Sequence, residues 1–201
     1  EIGRHKGLKI LAACGVPVRV WPRAPQDMKN KRVKNKGTLF WVTGLSGSGK
    51  TTIAKKIKNS IEKKYGPTIL INGDDLRKFF LLKGYSKNDR IKIAYKYSKL
   101  FKHITNQNIN IIFGTVGLMN KIRKIFQNSV KNFFVIYIKS DVRIIKQKRK
   151  KKIYFKFNRN IVGVDIKPEF PKKPNVMVKN YLNRSIDKIS KELFLKISKI
   201  Y

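Results

Sequence analysis

Short apolar runs, separated by longer polar segments, follow one another along most of the chain. The first four runs lie at residues 38–43, 68–72, 109–113 and 133–138, and a shorter one lies at 176–178. Runs of about four to eight apolar residues that are rich in β-branched and aromatic side chains are typical of buried strands. The pattern therefore predicts five strands.

Helical periodicity predicts amphipathic helices between these runs. Ile53, Ile57 and Ile61 recur at a spacing of four in a lysine-rich segment, and the Gly-Pro pair that follows is a helix stop signal. Residues 87–105 predict a second helix, and a last helix of about 18 residues follows the fifth strand. The apolar positions assigned to these two helices are Ile91, Ala94, Tyr95, Ser98, Phe101 and Ile104, and then Ile186, Ile189, Leu193 and Ile197. Strands that alternate with helices predict an α/β fold, with a parallel sheet and helices on both faces.

A glycine-rich loop follows the first predicted strand directly. Its residues match G-x-x-x-x-G-K-[ST] in full and are Gly44, Leu45, Ser46, Gly47, Ser48, Gly49, Lys50 and Thr51, with Thr52 next. Glycines let successive backbone N–H groups point at phosphate oxygens, and the N-terminus of the next helix adds positive partial charge. We therefore predict a P-loop NTPase fold with ATP bound by residues 44–52. Lys50 is expected to bridge the β- and γ-phosphates, and Thr51 to offer its hydroxyl to Mg²⁺.

Two neighbouring carboxylates follow the second predicted strand. Asp74 and Asp75 lie just after residues 68–72 in a chain that has only 11 acidic residues. Catalytic groups of open α/β sheets lie beyond the carboxyl ends of the strands. Asp74 is therefore a candidate to act on Mg²⁺ or to accept a proton from an attacking hydroxyl. For Asp75, a cap on the following helix is an equally good interpretation.

The chain is strongly basic. Its 48 Lys and Arg residues against 11 acidic ones give a formal net charge of +37, which attracts nucleotides and other polyanions. However, lysine, isoleucine and asparagine, whose codons are rich in A and T, dominate after Met28. A coding bias that fills solvated faces with lysine explains the charge better than selection for nucleic-acid binding.

The sequence also excludes some kinds of protein. Cys14 is the only cysteine, so neither a disulfide framework nor a cysteine-based zinc site is expected. No uninterrupted apolar stretch approaches the roughly 18 residues that cross a bilayer, and no stretch matches a signal peptide. We expect no membrane association and a cytoplasmic location.

Residues 1–27 differ in composition from the rest of the chain. They are poor in lysine, isoleucine and asparagine, and they contain three prolines. Residues 3–10, 17–20 and 24–25 can be back-translated into stretches that resemble a leucine transfer-RNA gene. We therefore expect residues 1–27 to be a non-native translation of an upstream transfer-RNA gene, or otherwise a disordered arm, and residues 28–201 to form a single P-loop domain.

Further motifs fit one known family. Residues 40–52 and 72–77, Tyr85 with its neighbours, Asp89-Arg90, and residues 161–165 have the order and spacing found in adenylylsulfate kinases. The chain resembles this family from about residue 38 to residue 178. The resemblance implies that the domain is a P-loop kinase. It would use Mg²⁺ to transfer the γ-phosphate of ATP to the 3′-hydroxyl of adenylyl sulfate, in support of sulfate activation.

The resemblance assigns roles to particular residues. Lys50 and Asp74 would be catalytic, with Asp74 near the acceptor hydroxyl, and Thr51 and Asp74 would bind the metal. Arg77 and Arg90 would hold the phosphate and sulfate of the acceptor, because guanidinium groups suit oxyanions. The other assignments are Tyr85 at the acceptor's adenine, Val162, Gly163 and Asp165 in the acceptor-binding loop, and Lys148, Lys151 and Tyr154 in a mobile lid at residues 146–160.

The sequence also departs from the family pattern. Asn72 replaces an Asp, Ile93 replaces an acceptor-binding Asn, and Gly117 replaces a Ser whose hydroxyl is associated with a phosphoenzyme form. Basic residues at 148–152 replace the usual lid sequence. The form of residues 162–165 resembles a divergent branch, some members of which phosphorylate cytidine nucleotides that carry a phosphoramidate. Such a nucleotide is therefore the alternative acceptor.

Two alternatives of other kinds stay open. Residues 148–159 mix Lys and Arg with aromatic side chains, which suits a protein that binds single-stranded nucleic acid, although a lid over the nucleotide is the favoured interpretation. A degenerate, inactive kinase is the second alternative, and the intact Lys50, Thr51 and Asp74 argue against it. ATP and a small anionic nucleotide are the expected partners, and a homodimer is left open.

Overall fold

The computed structural model describes residues 36–149 and 160–201. Their strands and helices are β1 (Thr38–Thr43), α1 (Lys50–Tyr65), β2 (Thr68–Asn72), α2 (Gly73–Phe79), α3 (Lys87–Asn106), β3 (Asn110–Thr115), α4 (Asn120–Ser129), β4 (Asn132–Lys139), α5 (Val142–Arg149), β5 (Val176–Lys179) and α6 (Ile186–Ile200). The predictions for residues 1–27 and for the lid residues Lys151 and Tyr154 lie outside the described residues. The single domain at residues 28–201 stays a prediction. In the part of the chain that is described, no helix has both the length and the apolar character needed to cross a membrane.

The strands form one parallel sheet in the order β2-β3-β1-β4-β5. Parallel neighbours need crossover connections, and these place helices against the faces of the sheet. The predicted α/β fold with a parallel sheet is confirmed, and all five predicted strands are present. The carboxyl ends of β1, β2 and β3 lie side by side, with Thr43 opposite Thr115 and Asn72 opposite Gly114.

Two apolar cores cover the two faces of the sheet. On one face Phe40 and Val42 pack with the apolar residues of α1 and α6. On the other face Leu39 and Trp41 pack with those of α3 and α4. Because alternate residues of a strand point to opposite faces, β1 is buried along its whole length. This double burial is the reason why residues 39–42 are continuously apolar.

The predicted apolar faces of α1 and α6 are confirmed. The predicted apolar residues that are buried are Ile53, Ile57 and Ile61 in α1, and Ile189, Leu193 and Ile197 in α6. Both sets recur at spacings of four, so each helix turns one stripe toward the sheet, and most of its lysines are exposed.

One predicted core position in α3 is wrong. Tyr95 is 53% exposed, whereas Tyr97 is 5% exposed and contacts the rings of Phe101 and Phe113. Tyr95 directly follows the buried Ala94, so it points about 100° away from it around the helix axis. The buried face of α3 therefore includes Tyr97 in place of Tyr95.

Helices α2, α4 and α5 are not among the helices predicted with bounds from the sequence. They have 7, 10 and 8 residues, so each offers only two or three turns of apolar periodicity. In α4 the N-cap residue is Met119, which makes no side-chain capping bond. A short helix without a capping residue carries little sequence signal at its start.

We expect Tyr97→Ala to lower the free energy of unfolding by about 3 kcal/mol, because it leaves a cavity among buried rings. Tyr95→Ala is the matched control, since it removes the same side chain from the exposed side of the same helix. It should change the free energy of unfolding by less than about 0.5 kcal/mol. Urea denaturation measures both values, and equal losses would contradict the orientation of α3.

Candidate phosphoryl-transfer site

The loop at residues 44–49 connects the central strand β1 to α1. Gly49 is the N-cap of α1 and has a left-handed φ of 89°. A Cβ atom on Gly49 would lie 2.8 Å from Nδ2 of Asn180, so both the backbone angle and the available space require glycine. The loop thus leads directly into the N-terminus of a 16-residue helix, where backbone N–H groups and the helix dipole favour anions.

Lys50 is the first residue of α1 and is only 8% exposed. Its Nζ donates a hydrogen bond of 2.6 Å to the Leu45 carbonyl oxygen, so the ammonium group lies over the loop. A phosphate oxygen is a stronger acceptor for an ammonium group than a carbonyl oxygen. Lys50 is therefore placed to contact the phosphates of a nucleotide on the loop.

A cavity of about 1230 Å³ extends from this loop to α3. The residues predicted to bind ATP that line it are Ser46, Gly47, Gly49, Lys50, Thr51 and Thr52. Gly44, Leu45 and Ser48 do not line it. Gly44 packs against the carbonyl of Ile138 in β4, while Leu45 and Ser48 are buried. Part of the loop therefore lines the cavity, and its other residues pack into the protein and hold the loop in place.

The predicted catalytic residue Asp74 and four predicted acceptor-binding residues reach the same cavity. Asp74 and Arg77 lie on α2, Tyr85 precedes α3, Arg90 lies in the first turn of α3, and Val162 follows much later in the chain. Helix α2 begins where β2 ends, at the same edge of the sheet as the loop. The fold thus brings together residues that are far apart in the sequence.

A capping box fixes the start of α3. The Ser86 hydroxyl accepts a hydrogen bond from the Asp89 N–H, and the Asp89 carboxylate accepts one from the Ser86 N–H, both at 3.1 Å. The side-chain hydrogen bond from Ser86 lowers the pKa of Asp89, which keeps the carboxylate ionised and the box intact. This turn sets the positions of Tyr85 and Arg90, which lie immediately beside it.

Arg77, Tyr85 and Arg90 form what we term the arginine cluster. The guanidinium carbon of Arg77 lies 4.4 Å from the centre of the Tyr85 ring, and that of Arg90 lies 5.6 Å from it. Both distances are within the range of cation–π attraction. Arg77 donates to the Gly84 carbonyl and Arg90 to the Tyr85 carbonyl, each at 2.9 Å. Arg90 also donates to the Asn160 carbonyl at 3.0 Å. Both guanidinium groups are therefore held by backbone oxygens beside one ring.

The charges of this cluster oppose one another. Burial lowers the pKa of Arg90, and the positive charge of Arg77 lowers it further, while the Tyr85 hydroxyl and the Asp74 carboxylate act in the opposite direction. An anion bound here would relieve the repulsion between the two guanidinium groups. The site therefore favours an anionic ligand, with the Asp74 carboxylate near enough to act on the same charges.

Gly163 and Asp165 do not line the cavity, although their neighbour Val162 does. The Asp165 carboxylate accepts a hydrogen bond of 3.0 Å from the Ile161 N–H, which closes the turn that contains Gly163. This turn packs Val162 into a small apolar core that also contains Leu45. In this structure Gly163 and Asp165 shape the turn, and their contact with an acceptor stays a prediction.

Lys148 does not line the cavity that contains the arginine cluster. It is exposed on α5, and its Nζ donates to the Leu182 carbonyl oxygen at 3.3 Å. With Asn180, Leu182, Arg184 and Ile186 it lines a second cavity of about 500 Å³. Its predicted role in a lid stays a prediction.

Three cavity residues were not predicted as site residues and carry buried polar atoms. Trp41 Nε1, Asn72 Oδ1 and the Tyr97 hydroxyl have no hydrogen-bond partner among the described residues, and all three residues line the cavity. Trp41 and Tyr97 occupy core positions of a strand and a helix, where periodicity assigns them to packing. No local sequence signal distinguishes them from ordinary core residues.

The loop after β3 comes close to Trp41 at Gly117. Gly117 has a φ of 36°, and a Cβ atom there would overlap the Cζ2 atom of the indole ring. Any side chain at this position would require the Trp41 ring to move. Bare backbone and the indole ring therefore form this part of the cavity wall.

The donor atoms at the cavity suit Mg²⁺. Thr51 and Asp74 both line it and offer a hydroxyl and a carboxylate oxygen. Within residues 36–149 and 160–201, no group of three or more His, Cys, Asp or Glu residues is arranged to hold a metal ion. Mg²⁺ prefers oxygen ligands and is usually bound by one or two protein groups together with substrate phosphates. Thr51 and Asp74 fit that mode of binding.

The chain is similar to known kinases. The adenylylsulphate kinase family model matches residues 36–179. The cytidine diphosphoramidate kinase of Campylobacter jejuni is 35% identical over 170 residues, which cover 81% of this chain and 100% of that protein. The adenylyl-sulfate kinase of Clostridium acetobutylicum is 30% identical over 173 residues, which cover 81% of this chain and 85% of that protein.

Solved structures share the fold. The APS kinase of Mycobacterium tuberculosis, determined in complex with AMPPNP and APS, has a TM-score of 0.70 and 22% identity, and the match covers 82% of this chain and 99% of that one. Its fold is the P-loop kinase fold predicted from the sequence. Because the family match spans most of the chain, the chain belongs to the adenylylsulphate kinase family of phosphotransferases.

Proposed function

We propose that this chain transfers the γ-phosphate of ATP to the 3′-hydroxyl of adenylyl sulfate. The observation that carries the proposal is the cavity that joins Lys50 of the phosphate-binding loop to the arginine cluster, with Asp74 on its wall. Such a cavity can hold a phosphate donor and an anionic acceptor at the same time.

The phosphate-binding loop suits the triphosphate of ATP. Negative charge spreads over the γ-phosphoryl oxygens during transfer. The Lys50 ammonium group, the loop N–H groups and the N-terminus of α1 are in place before that charge develops. Groups that are already oriented toward a developing charge stabilise the transition state most.

Asp74 is proposed to orient the acceptor hydroxyl and to accept its proton. The hydroxyl oxygen forms a bond to the γ-phosphorus, and the bond from that phosphorus to the β–γ bridging oxygen breaks. ADP leaves with the electron pair, and the proton passes to the Asp74 carboxylate. Asp74 is exposed at the cavity, and its negative charge opposes the lowering of the Arg90 pKa by burial. The carboxylate and the proposed acceptor-binding groups therefore interact electrostatically with one another.

Mg²⁺ is the proposed cofactor, held by Thr51 and Asp74 together with the phosphates of ATP. When bound, it would neutralise negative charge on those phosphates. The protein contributes the two oxygen donors and the loop that fixes the phosphates beside them.

The arginine cluster is proposed to bind the acceptor. Its two guanidinium groups suit the phosphate and sulfate oxygens of adenylyl sulfate. The Tyr85 ring is 52% exposed and lines the cavity, so it offers an aromatic surface on which a base can stack. A nucleotide with an acidic group matches both features.

Cytidine diphosphoramidate is the second candidate acceptor. Ile93 and Gly117 line the cavity, where the family pattern has an acceptor-binding Asn and a Ser. The wall of the acceptor site has thus lost two polar side chains. This change and the likeness to the Campylobacter jejuni kinase support the second acceptor.

Binding of nucleic acid and formation of a homodimer stay predictions. The segment at residues 148–159 that suggests nucleic-acid binding lies mostly outside the described residues. A nucleic-acid complex would weaken steeply with salt and would not require ATP. Phosphoryl transfer requires ATP, Mg²⁺ and Lys50.

We expect the full chain to form ADP from ATP when Mg²⁺ and adenylyl sulfate are present. Lys50→Ala should lower kcat by at least about 100-fold, because it removes a charge beside the transferring phosphoryl group. A coupled ADP assay measures both proteins with adenylyl sulfate and, in parallel, with cytidine diphosphoramidate. The acceptor that gives the higher kcat/KM is the preferred substrate.

If cytidine diphosphoramidate gives turnover and adenylyl sulfate does not, cytidine diphosphoramidate is the acceptor and the first proposal is wrong. If neither acceptor gives turnover and the chain instead binds single-stranded nucleic acid without ATP, the kinase proposal is wrong. Activity that persists in Lys50→Ala would point to a contaminating enzyme.

Arg90→Lys is expected to raise KM for the acceptor by about 10- to 100-fold. Lysine keeps the positive charge but loses the planar fork that binds an oxyanion through two bonds. KM for ATP should stay near the wild-type value. Arg143→Lys is the matched control, because Arg143 is exposed on α5. Equal increases in both KM values would contradict an acceptor role for Arg90.

Gly117→Ser is expected to lower the free energy of unfolding by about 1–3 kcal/mol, because the new side chain overlaps Trp41 and the backbone φ is positive. The loss should be smaller in a Trp41→Phe background, since a phenyl ring lacks the Cζ2 edge. Urea denaturation of the four proteins in this double-mutant cycle measures the coupling. The same loss in both backgrounds would show that the ring is not the obstacle.

A further inference from the structure

We propose that Asn180 is a positioning residue of the phosphate-binding loop, whose side-chain amide fixes the peptide between Ser48 and Gly49 so that the Gly49 N–H faces the phosphates. The inference rests on the ATP site of the proposed function. It adds a residue that lies 132 positions after Ser48, outside the loop motif.

Every polar group of Asn180 is hydrogen-bonded. Its Nδ2 donates to the Ser48 carbonyl oxygen at 2.9 Å, and its Oδ1 accepts from the Leu182 N–H at 3.0 Å. Its backbone N–H donates to the Lys139 carbonyl at 2.8 Å, and its own carbonyl accepts from the Ser140 hydroxyl. The residue is 1% exposed. Asn180 therefore joins the phosphate-binding loop, the end of β4 and the turn after β5.

The bond to the Ser48 carbonyl determines where the next N–H points. In a trans peptide the C=O and N–H of one plane point in opposite directions, and the described residues contain no cis peptide. Gly49 lines the main cavity, whereas Asn180 does not. A Ser48 carbonyl directed at Asn180 thus turns the Gly49 N–H away from Asn180 and toward the cavity.

Packing leaves the amide of Asn180 little freedom. A Cβ atom on Gly49 would lie 2.8 Å from Nδ2, and Ser48 is completely buried. On the other side, Leu182 has a φ of 58°, a left-handed conformation that non-glycine residues rarely adopt. The two neighbours require a donor on one side and an acceptor on the other, which a planar side-chain amide supplies at once.

Two substitutions separate the hydrogen bond from other effects. Asn180→Leu keeps the number and branching of the side-chain heavy atoms and removes both side-chain hydrogen bonds. Asn180→Asp keeps the acceptor for the Leu182 N–H but presents a second acceptor to the Ser48 carbonyl. Asn180→Ser, smaller and uncharged, is used if the leucine variant does not fold. Val178→Ala is the matched control for lost stability, because Val178 is fully buried on β5, the strand that Asn180 follows, and does not line the cavity.

The experiment titrates a non-hydrolysable ATP analogue with Mg²⁺ into each full-length variant by calorimetry, well below the lowest unfolding temperature. Substitution of Asn180 is expected to weaken binding by about 5- to 20-fold. Val178→Ala should lower the unfolding temperature and bind as the wild type does. KM for the acceptor should stay within about twofold in all variants, since one preformed loop and not the whole cavity is disturbed.

Four results would overturn the inference. Folded Asn180 variants could bind the analogue as tightly as the wild type, or Val178→Ala could lose as much affinity as they do. A loss in Asn180→Asp alone would assign the effect to the added charge. If the wild type itself does not bind the analogue, the proposed ATP site is wrong. If the wild type binds it and the Asn180 variants bind it equally well, only the proposed role of Asn180 is wrong.

Discussion

Strand β1 is hydrogen-bonded along both edges and buried on both faces. Its neighbours in the sheet are β3 and β4, and one apolar core covers each face. At its carboxyl end the chain must leave the sheet by a sharp turn, and the glycines at residues 44–49 make that turn. The helix that follows brings its N-terminal N–H groups to the same point. The stability of the fold and the proposed binding of phosphate therefore depend on the same short stretch of chain.

We propose that the selectivity of the cavity for its ligand comes from how its charged side chains are held. The chain has a net charge of +37, so positive charge by itself distinguishes no surface from another. Arg77 and Arg90 differ from the many surface lysines because loop carbonyls and the Tyr85 ring fix their guanidinium groups. A fixed fork loses less entropy when it binds an oxyanion than a mobile ammonium group does.

Most of the sheet and the phosphate-binding loop could be predicted from the sequence, because buried parallel strands and the loop motif are both local patterns. The orientation of α3 was harder to predict from the sequence. Tyr95 and Tyr97 lie two residues apart among lysines, and tyrosine suits either a core or a surface position. The contact of Asn180 with the loop could not be predicted, since its partner Ser48 is distant in the sequence. A single side-chain hydrogen bond also produces no periodic pattern of residue types. Local motifs thus identify the residues of the loop and of the candidate acceptor site. The residues that support them, such as Asn180, are identified only in the folded chain.

The order of the strands also has a consequence for how the chain reaches this fold. Strand β1 precedes the other strands in synthesis, yet the Thr38 N–H at its start donates to the side-chain oxygen of Asn110, which is 72 positions later. Its other neighbour, β4, lies later still. Such distant pairing makes folding slow and leaves an apolar strand unpaired while the rest of the chain emerges. During that interval the large excess of lysine gives nascent chains a common positive charge, and charge repulsion opposes their association. The lysines that surround the finished domain thus act as a solubility device before the domain exists.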